Sequence, residues 1–218
     1  MNGHRDIKEL NDDHFMTSIE TPLREDAFEL DDELKKELIA KNFQEIMQVL
    51  GLDLTDDSLR DTPKRVAKMF VQEIFKGLDP KNKPNVSLFE NKYNYNQMLV
   101  EKDINVNSTC EHHFLPIYGK AHVAYISSGK VIGLSKINRI VEYFSKRPQV
   151  QERLTIQVAN ELKSILDTED VAVVIDAKHM CVQSRGIEDT SSSTVTSEYC
   201  GKFNDPAVRQ EFLRYLDM

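Results

Sequence analysis

The chain has 218 residues, 40% hydrophobic and 29% charged, enough for a substantial core in one large domain or one domain with an attached subdomain. Its net charge of -8 argues against a general binder of nucleic acid or anionic membrane, so a phosphorylated ligand needs a local basic pocket on an acidic body. Three cysteines, two of them beside histidines, fit reduced thiols better than a disulfide framework. With no signal-like N-terminus and no apolar run of membrane length, the expected location is the cytoplasm.

Residues 1–30 are polar, of mixed charge and without periodicity, and read as a flexible N-terminal arm with Phe15, Ile19 and Leu23 as docking points. The stretch 31–96 reads as a helical region followed by a loop. From Asp31 the apolar residues Leu34, Leu38, Ile39, Phe43, Ile46, Met47 and Leu50 form one helical stripe, and Gly51 suits its end. A second helix is expected from Thr62-Pro63, with proline at its first position, apolar Val66, Ala67, Phe70 and Ile74, and a stop at Gly77. Lys64, Arg65 and Lys68 lie on its other face, where a solvated surface is the plain reading. Gly77 to Asn96 reads as loop.

Residues 97–218 carry a different texture. Met98 to Val106 and Leu115 to Ile126 read as extended runs on either side of Cys110, the second closed by Ser127-Ser128-Gly129-Lys130. A helix capped by Ser135 follows, with Ile137, Ile140, Val141 and Phe144 apolar. Another begins around Pro148, with Leu154, Val158, Leu162, Ile165 and Leu166. Val171 to Ile175 reads as a strand leading to His179 and Cys181, and Thr190 to Ser197 as a last strand. Asp205-Pro206 opens a terminal helix with Val208, Phe212, Tyr215 and Leu216 inward. The order predicts an α+β layer with helices on one face of an antiparallel sheet.

The chemistry concentrates in Ser108-Thr109-Cys110-Glu111-His112-His113-Phe114 and in His179-Met180-Cys181. A buried cysteine can be merely a small hydrophobe, but clustering of this density favours a metal. Cys110, His113 and Cys181 offer two thiolates and an imidazole, which suits zinc and leaves a fourth position open, as in catalytic sites. Cys110 and His113, three apart, can share one turn around an ion. Glu111, His112 and His179 remain for proton work or support. Lys136 and Arg139 share one face at a helix N-terminus, a place suited to phosphate. Arg185 is either a contributor to that pocket or a surface arginine. Gln151 and Glu152 at the next helix start suit either the helix dipole or the edge of a guanine.

With these residues assembled, the chain resembles the GTP cyclohydrolase I family from about Leu34 to the terminal helix. The likeness is densest over Ser108 to His113, Gly133 to Val141, Arg147 to Leu154 and His179 to Gly186. The resemblance implies the tunnelling fold, in which sheets of several subunits join into a barrel, and a homodecamer of two pentamers with sites between subunits. By position Cys110, His113 and Cys181 match the zinc ligands, Glu152 the guanine anchor with Gln151 and Ser135 beside it, and Lys136, Arg139 and Arg185 the triphosphate contacts. Arg65 and Lys68 match a further contribution from the N-terminal helices, which reverses the surface reading, and His112 and His179 match the proton-handling histidines. The implied reaction opens the guanine imidazole ring of GTP, releases formate and yields 7,8-dihydroneopterin triphosphate. Cys200 and the N-terminal arm fall outside the matched pattern.

Overall fold

The computed structural model describes residues 18–218. Of the arm expected over residues 1–30, the part before Ser18, with Phe15, lies outside the described residues. Helix α1 (Asp32–Val49) starts where Asp31 accepts a hydrogen bond from the Leu34 N–H at 2.8 Å, and it ends at Gly51, whose φ of +80° is the left-handed conformation glycine adopts without steric cost. Helix α2 (Thr62–Met69) begins with Pro63 as expected, but stops short of Gly77. The chain widens into a π-helical turn over Phe70–Ile74, closed by the Phe75 N–H on the Phe70 carbonyl. The loop that follows is not featureless: Leu88–Glu90 (β1) pairs later with a short strand.

Strand β2 (Met98–Cys110) runs antiparallel to β3 (Pro116–Ile126), with a register shift between Glu101 and Ile104 around Asp103. Strand β4 (Lys130–Ile132) partners β1. Helix α3 (Leu134–Ser145) has Gly133, not Ser135, at its N-cap; Ser135 is already helical and exposed. Pro148–Gln149 forms a short strand β5 parallel to the end of β2, and helix α4 (Gln151–Leu166) starts only after it. A proline suits a helix start and a strand edge alike, and the pairing of Gln149 with Cys110 decides between them.

Strand β6 (Val171–His179) pairs with β3, and a short helix α5 (Met180–Gln183) follows it directly. Strand β7 (Thr194–Tyr199) is the edge, starting four residues later than the Ser/Thr run suggested. Helix α6 (Pro206–Leu216) closes the described chain, capped by Asp205 on the Ala207 N–H. The sheet order is β5-β2-β3-β6-β7.

Side chains alternate across this sheet as the pleat requires. Ala121, Val123, Tyr125, Val171, Val173 and Ile175 meet Ile137, Ile140 and Val141 of α3 and Leu154, Val158 and Leu162 of α4. Each large apolar side chain fully buried there contributes about 1.5–3 kcal/mol. The opposite face is not bare, as a one-sided layer would leave it. Ala124, Ala172 and Val174 are covered by Phe203 and Phe212, whose rings meet edge to face at 5.9 Å. Phe212 is buried and Val208 and Leu216 pack beside it as expected, whereas Tyr215 stays 39% exposed. The N-terminal helices join this body through Gly77. Its N–H donates to the Lys146 carbonyl at 2.9 Å, and its carbonyl accepts from Arg147 Nε at 2.8 Å. A Cβ at Gly77 would sit 2.0 Å from the Tyr143 carbonyl oxygen, so only glycine fits this approach.

Candidate functional site

Strand β3 explains why two distant sequence fragments meet. Ile117, near its start, lies opposite Ser108 of β2 on one side and His179 of β6 on the other. The last residues of β2 and β6 therefore finish at the same end of the sheet. Beyond Ser108, the chain turns at Glu111–Phe114; beyond His179, it turns into α5. The two turns bring Cys110, His113 and Cys181 together, with one candidate ligand atom from each lying within 4.8 Å of the others. A tetrahedral ion with bonds of roughly 2.0–2.3 Å holds its donors roughly 3.5–3.8 Å apart, so a contraction of about an ångström closes the set. Two sulfurs and one imidazole nitrogen also match the donor preference of zinc. Burial and the neighbouring Cys110 thiol push the Cys181 thiol above its usual range, and a bound cation would reverse that cost.

The turn itself is tightly defined. The Phe114 N–H donates to the Cys110 carbonyl at 2.9 Å and the Cys110 N–H to the Leu115 carbonyl at 2.8 Å, which forces Phe114 to a φ of +53°. A left-handed backbone at an aromatic residue costs on the order of 1–3 kcal/mol and has to be offset by its surroundings. The Phe114 ring packs edge-on against Phe75 at 5.1 Å and Phe70 at 6.3 Å, rings delivered by the widened turn after α2. Phe114 also walls a cavity of about 610 Å³ shared with Leu23, Phe28, Phe43 and Phe70, beside the metal set rather than at it.

The ionisable neighbours are individually engaged. Glu111 forms an ion pair with Arg153, and its N–H donates to the Gln149 carbonyl at 3.0 Å. His112 Nδ1 lies 3.7 Å from the Cys110 sulfur, and its Nε2 lies 3.9 Å from Glu111. Arg185 Nη1 reaches His113 Nε2 at 2.8 Å, so the arginine stands next to the metal set. His179 Nε2 is 2.8 Å from Gln151 Oε1, and burial holds this histidine below its usual pKa while the Glu152 carboxylate opposes that shift. Glu152 is itself exposed.

Gln151 differs from its neighbour. It is buried, and its Nε2 donates to the carbonyls of Ile175 and Thr194 and to Thr196 Oγ1, while its Oε1 holds His179. Among the basic residues, Lys136 Nζ donates to the Asn85 carbonyl at 2.8 Å; Arg139, Arg65 and Lys68 are exposed, as is Ser135. Arg139 faces a small cavity with Lys76, Asn82 and Tyr143, whereas Lys68 faces a separate groove between α1 and α2 with Lys36, Lys41 and Lys64. Within one chain, Gln151 and Glu152 lie against His179, whereas Lys68 faces a groove between the N-terminal helices.

Arg153 was not among the residues singled out from the sequence. Arg153 and Gln157 stand four apart and buried on α4, polar positions on a largely apolar inner surface. That spacing was a readable signal, although the partners on Glu111 and Ser18 were not.

The sequence pattern of the family described as GTP cyclohydrolase I matches residues 39–217. A protein named GTP cyclohydrolase 1 from Flavobacterium johnsoniae is 62% identical over 218 residues, covering 100% of this chain and 98% of that protein. Proteins of the same name from an Enterobacter species and from Salmonella arizonae are each 56% identical over 197 residues, 90% of this chain and 89% of theirs. The chain belongs to the GTP cyclohydrolase I family.

Proposed function

We propose that this chain is a zinc-dependent GTP cyclohydrolase I that hydrolyses the guanine imidazole ring of GTP, releases C8 as formate and forms 7,8-dihydroneopterin triphosphate. The convergence of Cys110, His113 and Cys181, in a chain of this family, is the observation that carries the reading. Cys110, His113 and Cys181 would hold the zinc, which when bound would supply Lewis acidity and hydroxide at neutral pH. His112 and His179 hold and deliver protons at the imidazole nitrogens, making C8 a better electrophile. Burial favours the neutral form of His179, and the Glu152 carboxylate works against that by favouring the protonated ring. Glu111 orients the turn that bears two of the ligands.

Glu152 anchors the guanine edge, with Ser135 beside it and Gln151 holding His179. Lys136, Arg139 and Arg185 hold the triphosphate, joined by Arg65 and Lys68. Fixing both ends of the substrate places C8 against the metal set. The exposure of Ser135, Arg139, Glu152 and Arg185, and the separate position of Lys68, support a site completed by another copy of the chain. The assembly is a homodecamer of two pentamers with the tunnelling fold, built from residues 97–218, while 31–96 form the N-terminal helical region. The location is the cytoplasm, and the net charge of -8 argues against membrane and nucleic-acid partners; no helix among the described residues is long and apolar enough to cross a membrane.

A nicotinamide-dependent nitrile reductase of similar fold needs a nucleophilic cysteine but no paired thiols, and a nucleotide-binding scaffold needs no proton-handling histidines. Incubation with GTP, followed by oxidation and a search for formate and a fluorescent pterin, separates the three. Binding of GTP without either product would refute the enzyme reading.

A further inference from the structure

Arg153 takes no part in the reaction as set out above, yet it is built into the metal-bearing turn. Its side chain is 3% exposed. Nη1 and Nη2 donate to the two carboxylate oxygens of Glu111, the second at 3.4 Å, and Nε donates to the Ser18 carbonyl at 2.7 Å. One helical turn along, Gln157 Nε2 donates to the Ile19 carbonyl at 3.0 Å. The Ser18–Ile19 backbone thus lies along α4 at two fixed points, and the first of them is shared with Glu111. Glu111 stands between Cys110 and His112, with its own N–H fixed to the Gln149 carbonyl. Strand β5 therefore holds the backbone of the turn and α4 holds its side chain. A guanidinium presents its donors in a rigid planar fork, so it fixes direction as well as distance, which an ammonium does not.

We propose that Arg153 is a positioning residue that sets the orientation of the Cys110–His113 turn, and so the rate at which the chain gives up its metal. The inference rests on Cys110, His113 and Cys181 being metal ligands. The test loads the full-length protein with zinc, challenges it with excess chromogenic chelator well below the unfolding temperature, and follows release, with circular dichroism checking that each variant is folded. Arg153→Met and Glu111→Gln should release zinc about 10- to 100-fold faster than the parent, as loss of support behind a ligand shell does. Arg153→Lys should fall between. The double variant should release little faster than either single one, because both changes remove the same contact. Gln157→Met breaks the second tie to the Ser18–Ile19 backbone and the hydrogen bond from Gln149 Nε2 but leaves the Arg153–Glu111 fork in place, and should release zinc more slowly than Arg153→Met.

If folded Arg153→Met and Glu111→Gln hold zinc as the parent does, or Gln157→Met releases it equally fast, the proposal is overturned. Should Arg153→Met not fold, Glu111→Gln decides by itself. A parent chain that takes up no zinc would overturn the metal reading and this inference with it, whereas loaded variants with parental release overturn this inference alone.

Discussion

His112 and His113 are adjacent but are assigned different work, and metal content separates them. His113 offers one of three candidate ligand atoms in a set within 4.8 Å, so His113→Ala should lose zinc and activity together. His112 lies by the Cys110 sulfur and Glu111, and His112→Ala should keep nearly all its zinc while turnover falls about a hundredfold or more, as removal of a general acid does. Atomic absorption on both purified variants is the check; an empty His112 variant would reverse the ligand assignment. Gln151 and Glu152 divide in a similar way. Gln151→Ala strands the three acceptors of its amide nitrogen and His179 in a buried site and should cost about 2–3 kcal/mol in urea unfolding. Glu152→Ala, at an exposed position, should stay within about 0.5 kcal/mol of the parent yet weaken GTP and guanosine alike. Neutralising Arg185 should instead weaken GTP far more than guanosine, because charge-assisted phosphate contacts are lost while the base contacts remain.

At the scale of single elements, the candidate metal group Cys110, His113 and Cys181 was legible because Cys110 and His113 are local and the Cys181 fragment carries the same chemistry. The α-helical stripes of α3 and α4 were legible for the same reason, since periodicity is a local property. The start of α4 was not: Pro148 reads equally as helix start or strand edge, and only the pairing of Gln149 with Cys110 resolves it. Arg153 was missed because its partners lie 42 and 135 residues away, on Glu111 and Ser18. Gly77 was read as a stop signal, whereas its role is a close approach of two backbones. Gly77→Ala should therefore destabilise the protein by about 1–3 kcal/mol, through overpacking against the Tyr143 carbonyl, as measured by thermal or urea unfolding.

The bulge in β2 gives a second element-scale prediction. His122 Nδ1 accepts the Asp103 N–H at 3.2 Å, which only the neutral ring can do. Burial lowers its pKa; Asp103 and Asp176 oppose that shift, and Lys102 and Lys120 assist it. A histidine with a depressed folded pKa contributes stability that is complete above its unfolded value near 6.5 and is lost as pH falls below that value towards the folded one. His122→Asn keeps an acceptor without titrating. The urea midpoint of the parent should fall more steeply below pH 6.5 than that of the variant; parallel profiles would remove His122 as the cause.

For the whole molecule, surface left over by one chain points to assembly. Leu34, Leu38, Ile46 and Leu50, expected to share a buried stripe, are 41%, 43%, 52% and 71% exposed, and only Met47 of that stripe is buried. The stripe was legible, but its covering is only partial: α2 packs along α1, yet these four side chains stay open in the described chain. Strand β7 likewise leaves one edge unpaired within the sheet, with Val195 62% exposed. An open edge and an apolar helix face are liabilities that closure with other copies removes. Light scattering at working concentration should give a decamer, and a stable, active monomer would refute that assembly. The most direct test of the whole account is formate release from GTP by protein stripped with chelator and then titrated with zinc. The account predicts no formate from the stripped protein and recovery that saturates at one zinc per chain, with one formate for each GTP consumed; full activity without metal, or none when fully loaded, would contradict it.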